Sequence, residues 1–100
     1  MIRIVDYGIG NIQAFLNLFD RLGIPAKRAS NSEDLKDSSH LILPGVGHFD
    51  HAMKCFDESG LRPQLEELVL QKKLPIMGIC VGMHMLAFSS EEGGTPGLGW

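Results

Sequence analysis

The segment Pro75-Ile76-Met77-Gly78-Ile79-Cys80-Val81-Gly82-Met83 decides how the rest of the chain is read. Apolar residues run into Cys80, and glycines stand two positions to either side of it. This is the form G-x-C-x-G, the thiol counterpart of the G-x-S-x-G turn that joins a buried strand to a helix. Such a turn is tight, so flanking glycines are needed where neighbouring backbone approaches. It lifts the central side chain out at the top of a sheet. It also sets that side chain at a helix N-terminus, where the positive end of the helix dipole favours a thiolate over a thiol. The amide that follows, that of Val81, is aimed where an oxyanion would form. The bland alternative is a structural cysteine buried after a strand. The strand before it and the helix after it favour the nucleophile.

Working back toward the N-terminus, the same strand-turn-helix unit repeats. Ile2 to Val5 is a short apolar run suited to a buried parallel strand. Tyr7-Gly8-Ile9-Gly10-Asn11 turns the chain, and Ile12, Phe15, Leu16, Phe19 and Leu22 recur at helical spacing. Asn11 is the expected N-cap and Gly23 the expected stop. Position 13 is Gln, so Gly8-Ile9-Gly10 is a tight turn rather than a dinucleotide fingerprint. Pro25 to Ala29 reads as a second strand, with a short helix around Glu33 to Lys36. Leu41 to Leu43 is a third strand, broken by Pro44-Gly45-Val46-Gly47. Phe49, Ala52, Met53 and Phe56 mark one helix face. Leu61, Leu65, Leu68 and Val69 mark another, with Pro63 in its first turn. Leu74 to Ile79 is the fourth strand, Met83 to Phe88 the next helix, and Ser89 to Gly99 a glycine-rich loop. Alternating strands and helices predict a parallel sheet covered on both faces, with its site at the carboxyl ends of the strands. All three glycine turns follow strands and should gather there.

The totals narrow the function. One hundred residues allow one domain. A net charge of −3 supplies no basic face for nucleic acid. No apolar run reaches the ~18 residues of a membrane span. The two cysteines, Cys55 and Cys80, are expected as free thiols in a cytoplasmic protein. His48 and His51, three apart, and Cys80 with His84, four apart, do not make a closed ligand set, so no metal is expected. His84 is poorly placed as a base for Cys80, because it lies one turn into the same helix. Cys55 is expected to pack on the core, and Glu91-Glu92 to sit in a solvated loop. Gly97-Leu98-Gly99-Trp100 reads as part of a longer path, so residues 1–100 are taken as the N-terminal part of a single larger domain.

Three segments together resemble a known family: Ile4-Val5-Asp6-Tyr7-Gly8-Ile9-Gly10-Asn11, Leu41-Ile42-Leu43-Pro44-Gly45-Val46-Gly47 and Met77-Gly78-Ile79-Cys80-Val81-Gly82-Met83. They are similar, in order, to the class I glutamine amidotransferases, and within them to the glutaminase subunits of imidazole glycerol phosphate synthases. The resemblance implies a flavodoxin-like α/β fold, incomplete in this chain, and no cofactor. It makes Cys80 the nucleophile that attacks the glutamine side-chain amide. It assigns Gly45, Val46, Gly47 and the Val81 amide to the oxyanion site, and Asn11 to the partner interface. The implied partner is a (β/α)8-barrel cyclase, bound as a heterodimer, that uses the ammonia to make imidazole glycerol phosphate and AICAR in histidine biosynthesis. The family's catalytic His and Glu fall beyond residue 100, so the 100-residue chain alone is expected to be inactive and marginally stable. The family carries Gln at the position of His84, where it contacts substrate glutamine. An imidazole does not copy an amide's geometry. The alternatives are a paralogous glutaminase serving another synthase, such as one acting on a surface-polysaccharide sugar, or a catalytically silent binding module.

Overall fold

The computed structural model describes residues 1–87 and 96–100. Four strands, β1 (Ile2–Val5), β2 (Ala26–Ala29), β3 (His40–Gly45) and β4 (Ile76–Cys80), form one sheet in the order β2-β1-β3-β4. Every pairing is parallel. The helices are α1 (Ile12–Arg21), α2 (Phe49–Glu58), α3 (Arg62–Glu66) and α4 (Val81–Met85), with a 3-10 turn over Glu33–Asp37.

Alternation along the strands sorts the apolar residues onto two faces. Ile4 and Ile42 pack with Ile12, Phe15, Leu16 and Phe19 of α1. Val5, Leu41 and Leu43 pack on the other face with Phe49, Met53 and Phe56 of α2 and Leu65 of α3. This is the two-sided parallel sheet expected. The Asn11 side chain caps α1 by accepting from the Ala14 amide at 3.2 Å, and Gly23 ends it in the left-handed region at φ +71°. Leu22 differs from expectation: it lies past the last turn and is exposed.

Further boundaries differ. Pro44 does not break β3, which continues through Gly45. The pairing of β1 with β3 ends at Ile42, so no strand on that side requires the N–H that proline lacks. The apolar stripe Leu61-Leu65-Leu68-Val69 does not lie on one regular helix. After Glu66 the chain widens into a π-helical turn over Glu67–Gln71. The fourth helix starts at Val81 rather than Met83 and is five residues long. Phe88, the loop from Ser89 up to residue 95, and Glu91-Glu92 lie outside the described residues. Beyond them the backbone returns to α4. Leu98 donates to the Met85 carbonyl and Trp100 to that of Leu86, both at 2.7 Å.

Candidate active site

Cys80 is the last residue of β4 and the N-cap of α4, with φ 56° and ψ −125°. A side chain in this region is strained by about 1–3 kcal/mol and persists only where its surroundings impose it. Those surroundings are glycines. A Cβ on Gly78 would lie 2.6 Å from the Met83 Cα, and one on Gly82 would overlap the Leu43 carbonyl oxygen. The elbow is therefore held between β3 and its own helix, and the thiol is exposed above it.

The register places Gly45 opposite Cys80. A Cβ on Gly45 would come within 2.8 Å of the Gly82 amide nitrogen and 3.2 Å of the Val81 carbonyl carbon. The end of β3 thus lies directly against the first peptide of α4. Gly10, at φ +113°, fits against the Pro44 ring, where a Cβ would stand at 3.2 Å. The three glycine turns gather at one edge, as the parallel topology requires.

Between them lies a cavity of about 150 Å³ lined by Gly10, Asn11, Ala14, Phe15, Pro44, Gly45, Val46, Ile79 and Cys80. A larger cavity, about 240 Å³, opens among Ile2, His40, Leu41, Ile42, Pro75, Ile76 and Met77. It sits at the amino ends of the strands and carries no nucleophile, so the smaller cavity is the candidate site.

Of the residues singled out from sequence, Cys80, Gly45, Val46 and Asn11 share this cavity, and Val81 adjoins it through Gly45. Gly47 and His84 do not line it. Gly47 turns the chain at φ +83° with open space around it, and His84 is exposed on α4. Asn11 combines a place on the cavity wall with the α1 cap. His48 and His51 are exposed. His48 accepts from the Asp50 amide through Nδ1 at 3.1 Å and so caps α2, while His51 Nε2 stands 3.7 Å from Cys55 Sγ. Cys55 is half-buried against the core. Among the described residues, no group of three or more His, Cys, Asp or Glu is placed to hold a metal ion, and no helix is long and apolar enough to cross a membrane.

Sequence reading missed Tyr7. Its hydroxyl donates to the Pro44 carbonyl at 2.6 Å, across 37 positions of chain, a distance no local pattern spans.

The family described as glutamine amidotransferase class-I matches residues 3–93. The chain is 60% identical over 100 residues to the imidazole glycerol phosphate synthase subunit HisH of Bdellovibrio bacteriovorus, covering all of this chain and 49% of that one. It is 49% identical to subunit HisH 2 of Pseudomonas aeruginosa, again over all of this chain and 50% of the relative. A crystal structure of a glutamine amidotransferase superposes with a TM-score of 0.78 at 27% identity, over 98% of this chain and 51% of that one. The flavodoxin-like α/β fold expected from the sequence is the fold found. The chain spans about half the length of the curated relatives it matches.

Proposed function

The chain belongs to the class-I glutamine amidotransferase family, and on that premise we propose that it carries the nucleophile of a glutaminase feeding ammonia to imidazole glycerol phosphate synthesis. The observation that carries this reading is Cys80 at φ 56°, forced by glycines on both sides and open to a cavity at the carboxyl edge of the sheet. Cys80 Sγ attacks the side-chain carbonyl carbon of glutamine. The C–N bond breaks, ammonia leaves with the proton it needs, and a glutamyl thioester remains. Water then cleaves the thioester to glutamate and restores the thiol. The oxyanion formed in each half is held by the Val81 amide and by the Gly45-Val46-Gly47 loop. The motif match assigns His84, which does not line the cavity, to contact with substrate glutamine, and Asn11 to the interface with a (β/α)8-barrel cyclase, in a cytoplasmic heterodimer.

A thiol needs a base, and none of the described residues is within reach of Cys80 to serve as one. The family's His and Glu supply that function from outside these 100 residues, so the 100-residue chain by itself turns over no glutamine and is marginally stable. The test is to treat the intact gene product with an electrophilic glutamine analogue, with and without its synthase partner, and to map the modified residue by mass. Selective labelling of Cys80 over Cys55, faster with partner, is expected. Slow, equal labelling of both thiols would overturn the reading.

A further inference from the structure

Tyr7 takes no part in the bond changes above, yet it is wedged under the loop they depend on. Its side chain is buried and meets Phe56 edge to face, with ring centroids 5.7 Å apart. Its hydroxyl donates to the Pro44 carbonyl at 2.6 Å and lies 3.3 Å from Met85 Sδ. A Cβ on Gly45 would stand 2.8 Å from the same oxygen. One hydroxyl therefore touches the end of β3 and the helix that follows Cys80. Burial, with the nearby Cys55 second, pushes the phenol well above its ordinary pKa, so it stays a donor at neutral pH.

The hydrogen bond falls at a sharp boundary. Pro44 and Gly45 are buried, whereas Val46, Gly47 and His48 are exposed. The Leu41 amide donates to Pro75, on the β4 side of β3. Alternation along the strand turns Leu43 and Gly45 toward β4 as well, and Pro44 toward β1. Because β1 pairing stops at Ile42, the Pro44 carbonyl has no strand partner on that side. Tyr7 supplies one. Without it, a buried acceptor would be left unmade, which a peptide relieves by rotating.

We propose that Tyr7 is a positioning residue: by holding the Pro44 carbonyl, its hydroxyl fixes the pivot from which the exposed Val46-Gly47 segment leaves β3 beside the Cys80 cavity. This rests on the glutaminase reading. With the pivot fixed, the loop amides stay where negative charge develops on the substrate oxygen. Losing it weakens the transition state and leaves glutamine binding largely intact.

The experiment is Tyr7→Phe in the intact gene product assembled with its synthase partner, a change that keeps the ring against Phe56. The glutaminase kcat should fall about tenfold with KM within about twofold. Alkylation of Cys80 by iodoacetamide, a displacement at carbon that forms no oxyanion, should stay within about twofold of wild type. An unchanged kcat, or a rise in KM alone, would overturn the proposal. A parallel fall in both reactions would overturn it too, since Tyr7 would then support the whole elbow rather than the loop. A wild-type complex that hydrolyses no glutamine would sink the glutaminase reading and this proposal with it, whereas an active wild type with an equally active Tyr7→Phe sinks the proposal alone.

Discussion

Gly82 packs its bare Cα against the Leu43 carbonyl oxygen so closely that a side chain there would overlap it. The obstacle is backbone on a central strand, which cannot swing aside. Gly82→Ala should therefore cost about 3 kcal/mol or more, in the range of severe overpacking. Gly47→Ala makes a fitting comparison, because Gly47 has a positive φ but nothing near its missing Cβ. That change should cost only about 1 kcal/mol. Urea denaturation of the two variants would test the contrast, and equal losses would mean that close packing does not define the elbow.

Asp37 and Arg3 provide a pH-dependent prediction. Arg3 Nε donates to Asp37 Oδ1 at 2.7 Å and Nη2 to Oδ2 at 3.0 Å. The Arg3 hydrogen bonds hold the Asp37 carboxyl below its ordinary pKa, although the carboxyl is solvent-exposed. A carboxyl whose folded pKa is depressed stabilises the fold above its unfolded pKa of about 3.9, and that contribution fades as pH falls through the folded value. Wild type and Arg3→Gln should accordingly differ in stability at neutral pH by more than they do in acid strong enough to protonate Asp37 in the folded protein. In an NMR titration, Asp37 should return to the ordinary carboxylate range in Arg3→Gln. An Asp37 that titrates identically in both proteins would remove the coupling.

The sequence made some of this legible because the signals are local. Asn11 before an amphipathic run, Gly23 after it, and Cys80 between Gly78 and Gly82 each settle their own conformation within a few residues. The parallel sheet then follows from the alternation of strands and helices. Pro44 was harder, because proline marks a strand end unless one knows that β1 has already stopped pairing at Ile42. The π-helical turn after Glu66 hides for a similar reason: Leu65, Leu68 and Val69 also fit a regular helix. Tyr7 carries no periodic signal, and its partner lies 37 positions away. His84 matches a substrate position by motif alone; on α4 it is exposed and is not among the residues that line the cavity.

The edge of the sheet carries a prediction about association. Among the described residues β4 pairs on one side only, and Met77 on it is 62% exposed. An unpaired parallel edge with an apolar face is a template for self-pairing. The 100-residue chain should show concentration-dependent association by sedimentation velocity, and Met77→Lys should shift it toward monomer. Identical sedimentation of the two chains would place the contact elsewhere.

Cys80 itself tests whether the site is strained in order to work. Its φ of 56° and ψ of −125° suit glycine and burden any residue with a Cβ. Cys80→Gly relieves that strain, of about 1–3 kcal/mol. The added freedom of glycine in the unfolded chain offsets about 0.5–1 kcal/mol of it. The net expectation is a gain of about 1 kcal/mol in urea denaturation, together with complete loss of labelling by a glutamine analogue. Cys80→Ser keeps the Cβ and should leave stability near wild type, so the comparison separates backbone strain from loss of the thiol. A Cys80→Gly chain less stable than Cys80→Ser would mean that the elbow holds no strain at this residue, and that the exposed thiol follows from the glycine contacts alone.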